Sequence, residues 1–181
     1  MKKMLLHSCC GPCSTAVIEK LLEEYNITVY YYNPNIYPYD EYLHRLQEQK
    51  RFLKEKYGKK IKLIEGEWGC EKFNKLASGL ELEKEGGSRC AICFNMRLEQ
   101  TAKFAVENGF DIFTTTLSVS PYKNHLLLND IGQKLSNKYK VEYLPANFKK
   151  NDGYLRSIKL SKEYELYRQD YCGCEFSLKN K

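Results

Sequence analysis

The chain has 181 residues, 43% hydrophobic and 13% aromatic with 15 Tyr, which suits one folded domain with a substantial apolar core and excludes a disordered or low-complexity chain. Net charge is +6, from 29 Lys+Arg against 23 Asp+Glu, a mild excess compatible with an RNA or phosphate partner. Only Met4, Leu5 and Leu6 precede His7 and the first cysteines, too short a run for a secretory signal, and no apolar stretch approaches a bilayer span; a cytoplasmic protein with no membrane partner is expected.

Lys3 to His7 reads as a short buried strand running into Ser8-Cys9-Cys10-Gly11-Pro12-Cys13. Apolar residues at helical spacing (Ala16, Val17, Leu21, Leu22) predict a helix from Thr15 to Tyr25 with Ser14 as its N-cap. The β-branched and aromatic stretch 27–33 is a second strand, broken by Pro34 and Pro38. A charged amphipathic helix, Asp40 to Tyr57, stops at Gly58, and 60–66 reads as a third strand. From Cys70 to Glu85 the pattern is helical and then polar, and Gly86-Gly87 marks a turn. Cys93 to Asn108 reads as a helix ending at Gly109, 110–117 as a fourth strand, Asn124 to Tyr139 as a helix and Val141 to Leu144 as a strand. The alternation argues for an α/β fold, a parallel sheet with helices on both faces. A single domain, 1–181, is expected, with the basic, aromatic segment 148–181 a surface stretch that folds back over the site.

Eight cysteines in a reducing compartment point to metal binding or redox chemistry rather than structural disulfides. Cys9, Cys10 and Cys13 cluster at the start, Cys90 and Cys93 in the middle, Cys172 and Cys174 at the end; Cys70 stands alone. In an open α/β sheet ligands bind beyond the carboxyl ends of the strands, where the strand order reverses, and the loop from Ser8 to Ser14 follows the first strand. A phosphate site would place glycines there; three thiols suggest a metal. Cys90 and Cys93 form a second C-x-x-C at a helix start, whose positive end favours thiolate. Cys10 with Cys13, and Cys90 with Cys93, make a four-sulfur set for structural zinc or an iron–sulfur cluster, and spacing does not distinguish them. Cys172-Gly173-Cys174 is either a strained, easily reduced disulfide or a source of further ligands. Cys10-Gly11-Pro12-Cys13 also spells a thioredoxin-type motif, but five further grouped thiols argue against a simple dithiol reductase.

Taken together, LLHSCCGPCS, EGGSRCAICFNMRLEQTAKFA, FTTTLSVSPYKN and FKKNDGYLRSIKLSKEYELYRQDYCGCEFS closely resemble the epoxyqueuosine reductase family QueH, from residue 5 to about 178. The resemblance implies reduction of an epoxide on the modified base at the wobble position of tRNA, using a [4Fe-4S] cluster and a neighbouring iron, without cobalamin. On the matching positions it assigns the cluster to Cys9, Cys10, Cys90 and Cys93 and treats Cys172 and Cys174 as a redox-active pair. Cys13 is then free to hold the second iron, and Cys70 is a buried apolar residue. Neighbouring strand residues point oppositely, so joint use of Cys9 and Cys10 requires a tight turn at Gly11-Pro12. The implied fold resembles the nucleotide-binding sandwich of the PP-loop ATPases with the metal site at the carboxyl ends of the strands; the Ser-Gly-Gly-x-Asp-Ser loop of those enzymes is absent, so no ATP use is expected.

Tyr122 and His7 are candidate proton donors, with His7 more simply a strand-end histidine bound to backbone. Lys149, Lys150, Arg156, Lys159, Lys162 and Arg168, interleaved with Tyr154, Tyr164, Tyr167 and Tyr171, read as an RNA-facing strip or else a solvated helix face. Arg89 and Arg97 flank the second C-x-x-C and suit cluster charge or phosphate; Asn124 and Asn129 suit caps or loop contacts. The expected partners are tRNA carrying epoxyqueuosine and an unidentified electron donor. A zinc-stapled RNA-binding module and a dithiol reductase are the alternatives.

Overall fold

The computed structural model describes residues 1–180. Strand β1 (Lys2–His7) lies at the centre of the sheet, paired in parallel with β2 (Tyr25–Tyr31) on one side and β4 (Ile112–Thr115) on the other. β3 (Lys62–Glu65) and β5 (Glu142–Tyr143) lie outside them, giving five parallel strands in the order β3-β2-β1-β4-β5. A strand covered on both faces is a continuous apolar run, and Met4, Leu5 and Leu6 are fully buried.

Alternation along β1 sorts the two faces. Met4 and Leu6 share one core with Val17, Ile18 and Leu21 of helix α1 (Gly11–Leu21) and Phe52 and Leu53 of α2 (Tyr39–Tyr57). Leu5 faces the other core, with Phe94, Leu98 and Ala102 of α4 (Ser88–Glu107) and Leu128, Ile131 and Leu135 of α5 (His125–Tyr139). Helices thus cover both faces, and the order reverses between β1 and β4. Short α3 (Cys70–Leu76) packs on α4, and a 3-10 turn (Thr116–Val119) follows β4.

The elements follow the sequence pattern with local differences. α1 begins at Gly11, with Cys10 at the N-cap and Pro12 in the first turn, so Ser14 is not the cap. The Ser14 hydroxyl donates instead to the Gly11 carbonyl (2.8 Å). Tyr25 opens β2 rather than closing α1. α4 starts at Ser88, ahead of both Cys90 and Cys93. The stretch after Phe148 contains α6 (Gly153–Glu163), packed on α1 through Ser157, Leu160 and Ser161, and α7 (Glu175–Lys179); Lys181 lies outside the described residues. Among the described residues, no helix is long and apolar enough to cross a membrane.

Gly132 of α5 passes over Tyr143 of β5 so closely that a Cβ there would stand 2.2 Å from the buried ring. Alanine would gain about 1 kcal/mol of helix propensity. Overpacking a buried ring costs about 1–3 kcal/mol, more where backbone must shift. Gly132→Ala is therefore expected to destabilise the chain, read as a lower urea midpoint with an unchanged slope; a raised midpoint would refute the packing argument.

Candidate metal centre

The chain leaves β1 at Ser8 and turns into α1 within three residues. Gln49, buried on α2, spans this turn: it accepts from the Ser8 hydroxyl (2.6 Å) and donates to Ser14 Oγ (2.7 Å). Asn33, beyond β2, donates to the Ser8 carbonyl (2.8 Å). In this frame Cys9 and Cys10 do not point apart. Their Sγ atoms are 3.8 Å apart, and with Cys13 all three sulfurs lie within 4.8 Å of one another, the one group of three or more such ligand atoms among the described residues. Hydrogen bonds from the Cys10 and Cys13 thiols hold Cys9 well below the usual thiol range, while the same sharing and burial push Cys13 up. The donor set is all sulfur, beside a helix N-terminus, and suits a thiophilic metal or cluster.

His7 stands next to this loop, fully buried. Its Nε2 is 2.9 Å from the Tyr32 carbonyl, which can only accept, so the proton sits on Nε2 and Nδ1 accepts from Thr115 Oγ1 (2.9 Å). Burial, then the Arg97 charge, pulls its pKa down to about 4. His7 is a neutral brace between strands, bound to backbone, and does not offer a proton to the site.

The second C-x-x-C lies in the opening turns of α4. Gly86 N–H donates to Cys90 Sγ (3.2 Å), and burial raises the Cys93 thiol. Cys90 and Cys93 face Cys172 and Cys174 across a cavity of ≈ 620 Å³ empty volume that Asn35 and Arg97 also line. Cys9 and Cys13 open on an adjoining cleft of ≈ 1260 Å³ empty volume, and Cys172 borders both. The fold therefore gathers all three cysteine groups around two joined cavities at the strand-order reversal. Cys172 and Cys174 are free thiols; the hydrogen bond from Cys174 lowers Cys172 to about 5 and correspondingly raises Cys174. Cys70 lies apart on α3, its S–H donating to the Ile36 carbonyl (3.4 Å), its thiol raised to about 11 by burial.

Two cations border both cavities. Arg97 is 3% exposed and donates to the Cys93 carbonyl (3.3 Å) and Asn33 Oδ1 (3.5 Å). Burial works against the charge of Lys123, but the thiols of Cys9, Cys13 and Cys172 outweigh it and raise its pKa. Arg89 is committed elsewhere, to the Leu80, Glu81 and Glu83 carbonyls (3.0, 3.2 and 2.7 Å), and so shapes the loop before Cys90. Asn124 caps α5, accepting from Leu126 and Leu127 N–H, and Asn129 pairs with the Ala146 backbone.

Tyr122, 78% exposed, overhangs both cavities. The basic strip divides. Tyr154 and Arg168 line the cleft, and Lys150 and Lys159 are exposed. Lys149 donates to the Lys123 carbonyl (3.0 Å), and Arg156 forms a two-pronged pair with Glu19 of α1 (both 3.0 Å). Sequence reasoning passed over Asn35, Arg45 and Gln49. The signal for the last two was present: they fall at the inward phase of α2 beside Tyr42, Leu46, Phe52 and Leu53, where an apolar residue is the ordinary choice.

A parallel α/β sheet whose order-reversal point carries clustered thiols beside Arg97 and Lys123 defines a cysteine-centred α/β protein with ligands able to hold a metal. A family model for "Epoxyqueuosine reductase QueH" matches residues 4–180, and the chain belongs to that family. It is 48% identical to the Epoxyqueuosine reductase QueH of Staphylococcus epidermidis over 97% of this chain and 76% of that protein. With that of Streptococcus pyogenes the identity is 44%, over 97% and 70%; with that of Thermotoga maritima it is 36%, over 98% and 91%. Among solved structures, a predicted subunit of tRNA methyltransferase from Methanocaldococcus jannaschii shares the fold, with a TM-score of 0.50 at 20% identity over 88% of this chain and 76% of that one.

Cys9→Ser and Cys10→Ser are expected to abolish stoichiometric metal binding after anaerobic reconstitution, whereas Cys70→Ser retains it; iron analysis checks this, and equal loss in all three would show the grouping to be wrong. Arg168→Ala should reduce the slope of log tRNA affinity against log salt by about one unit, and Arg156→Ala by much less because Glu19 already holds its charge. Equal slopes for the two variants would count against this division of the strip.

Proposed function

We propose that the chain reduces the epoxide of epoxyqueuosine in tRNA to the alkene of queuosine. Two C–O bonds break, a C=C bond forms, and two electrons and two protons carry the oxygen away as water. The observation that carries this reading is the placement of three thiol groups around two cavities that share Cys172, in a chain of the QueH family.

Cys9, Cys10, Cys90 and Cys93 would hold a [4Fe-4S] cluster and Cys13 an additional iron; the buried and half-buried all-sulfur donors with Arg97 and Lys123 beside them fit an anionic cluster. When bound, these groups supply single-electron delivery and Lewis-acid polarisation of the epoxide oxygen. Arg97 and Lys123 balance the sulfur charge from the protein side. Cys172, placed between the two cavities, and Cys174 form a dithiol whose oxidation to a disulfide releases two electrons and two protons, the amounts the epoxide consumes. Tyr122, at the cavity rim, would donate a proton or cover the base, Tyr154 would stack on it, and Arg168, with Lys150 and Lys159, would meet phosphates, with Lys149 and Arg156 supporting that surface. The segment 148–180 works with the sheet as part of one domain. The reading places the protein in the cytoplasm, draws electrons from a separate donor, and involves neither cobalamin nor ATP.

The test is anaerobically reconstituted protein assayed for iron, acid-labile sulfide and conversion of epoxyqueuosine-containing tRNA, with the nucleosides read by mass spectrometry. Cluster absorption and queuosine formation are expected. Stoichiometric zinc without sulfide or turnover would favour a zinc-stapled RNA-binding module, and activity surviving metal removal a dithiol reductase. Cys172→Ala should lose turnover while keeping most of its iron.

A further inference from the structure

Arg45, on the inward face of α2, is 2% exposed. Its Nε donates to Glu41 Oε1 (2.7 Å), its Nη1 to the Cys172 carbonyl (3.2 Å) and its Nη2 to the Tyr171 carbonyl (3.1 Å). The guanidinium also lies 5.1 Å from the centre of the Tyr171 ring. A buried charge is costly unless its donors are satisfied, and here two of them are spent on the consecutive carbonyls of Tyr171 and Cys172, at the entry to the Cys-Gly-Cys loop.

The other side of the loop is held as tightly. Tyr37 N–H donates to the Gly173 carbonyl (2.7 Å), and Cys174 makes an antiparallel bridge with Ile36. Gly173 has φ +109°, and a Cβ there would stand 2.9 Å from Ile36 Cγ1 and 3.1 Å from Arg45 Nη1, so only glycine fits beneath the guanidinium. Glu41, the anionic partner of Arg45, accepts from the Tyr167 hydroxyl (3.1 Å), tying the same clamp to the chain just before the loop.

We infer that Arg45 is a positioning residue that fixes Cys172 at the junction of the two cavities by gripping the Tyr171 and Cys172 carbonyls. The inference rests on the reading of Cys172 and Cys174 as an electron-carrying pair: two thiols become one S–S bond, and two electrons and two protons pass to the epoxide, to be restored by the separate donor. The clamp sets where that pair stands and how readily it closes. Ring closure across one residue needs the backbone to adjust, and a loop pinned from both sides resists this, so the pinned form favours the dithiol. Lysine cannot replace the fork, because a single ammonium cannot reach both carbonyls and Glu41 in one plane.

The test uses the full-length, metal-loaded protein and the variants Arg45→Lys, Arg45→Met and Gly173→Ala. The dithiol–disulfide equilibrium of Cys172 and Cys174 is read in glutathione buffers by alkylation and peptide mass spectrometry. Each variant is expected to shift about tenfold toward the disulfide, about 30 mV more negative for a two-electron couple. With tRNA, kcat should fall about tenfold or more, because Cys172 leaves the junction of the two cavities although the pair closes more readily, while KM and iron content stay near the parent values. Parent-like equilibrium and kcat in Arg45→Lys and Gly173→Ala would overturn the proposal, as would loss of iron from Arg45→Lys, which would make the residue a support of the metal loop. If Arg45→Met does not fold, the other two variants decide. A parent chain that fails to convert the tRNA would sink the functional reading alone, since the thiol equilibrium tests Arg45 without turnover.

Discussion

The site depends on one buried amide. Gln49 accepts from Ser8 and donates to Ser14, and between those two contacts lie Cys9, Cys10 and Cys13. Without such a brace the five residues between Ser8 and Ser14, which carry three thiols, would have more conformations, and ordering each residue's backbone costs roughly 1–2 kcal/mol. The donor and acceptor are both side-chain groups of one helix residue, so the position of α2 against the sheet is transmitted to the sulfurs. Phe52 and Leu53, packed under β1 and β2, set that position. Hydrophobic packing thus sets the sulfur spacing, by way of two hydrogen bonds.

Charge completes the arrangement. An uncompensated buried ion costs several kcal/mol, and Arg97 meets the Cys93 carbonyl, the Asn33 amide oxygen and the Phe94 ring, so a negative neighbour favours it. Cys9 and Cys93 both feel the Arg97 charge, Lys123 feels Cys9, Cys13 and Cys172, and Arg45 feels Cys10 and Cys9. The same α2 helix therefore supplies both the amide that shapes the first thiol group and the guanidinium that pins the last.

Much of the sheet was legible because buried parallel strands announce themselves as apolar or β-branched runs, as Met4 to Leu6 and Ile27 to Tyr31 do. The start of α1 was not: Ser14 is a better intrinsic cap than Cys10, but Pro12 is preorganised for a first turn and Gln49 engages Ser14 instead. α6 was hidden by its basic and aromatic composition, although Ser157, Leu160 and Ser161 carry the helical spacing of its buried face. In the site, the grouping of thiols could be read from spacing alone. That Cys9 and Cys10 converge could not, because it depends on where the chain leaves the strand, and Arg45 and Gln49 stand where a helix pattern calls for apolar residues.

The cleft is built from residues far apart in the order of synthesis. Cys13 and Cys172 border the same space, and Cys172 follows Cys13 by 159 positions. At roughly 5–20 residues per second of translation, the first thiols wait roughly 8–32 seconds before the last side of their enclosure has been added. The sulfur centre therefore cannot be finished while the sheet is first forming on the ribosome. During that interval Cys9, Cys10 and Cys13 lack the C-terminal side of their enclosure, so the chemistry they meet depends on timing as well as affinity.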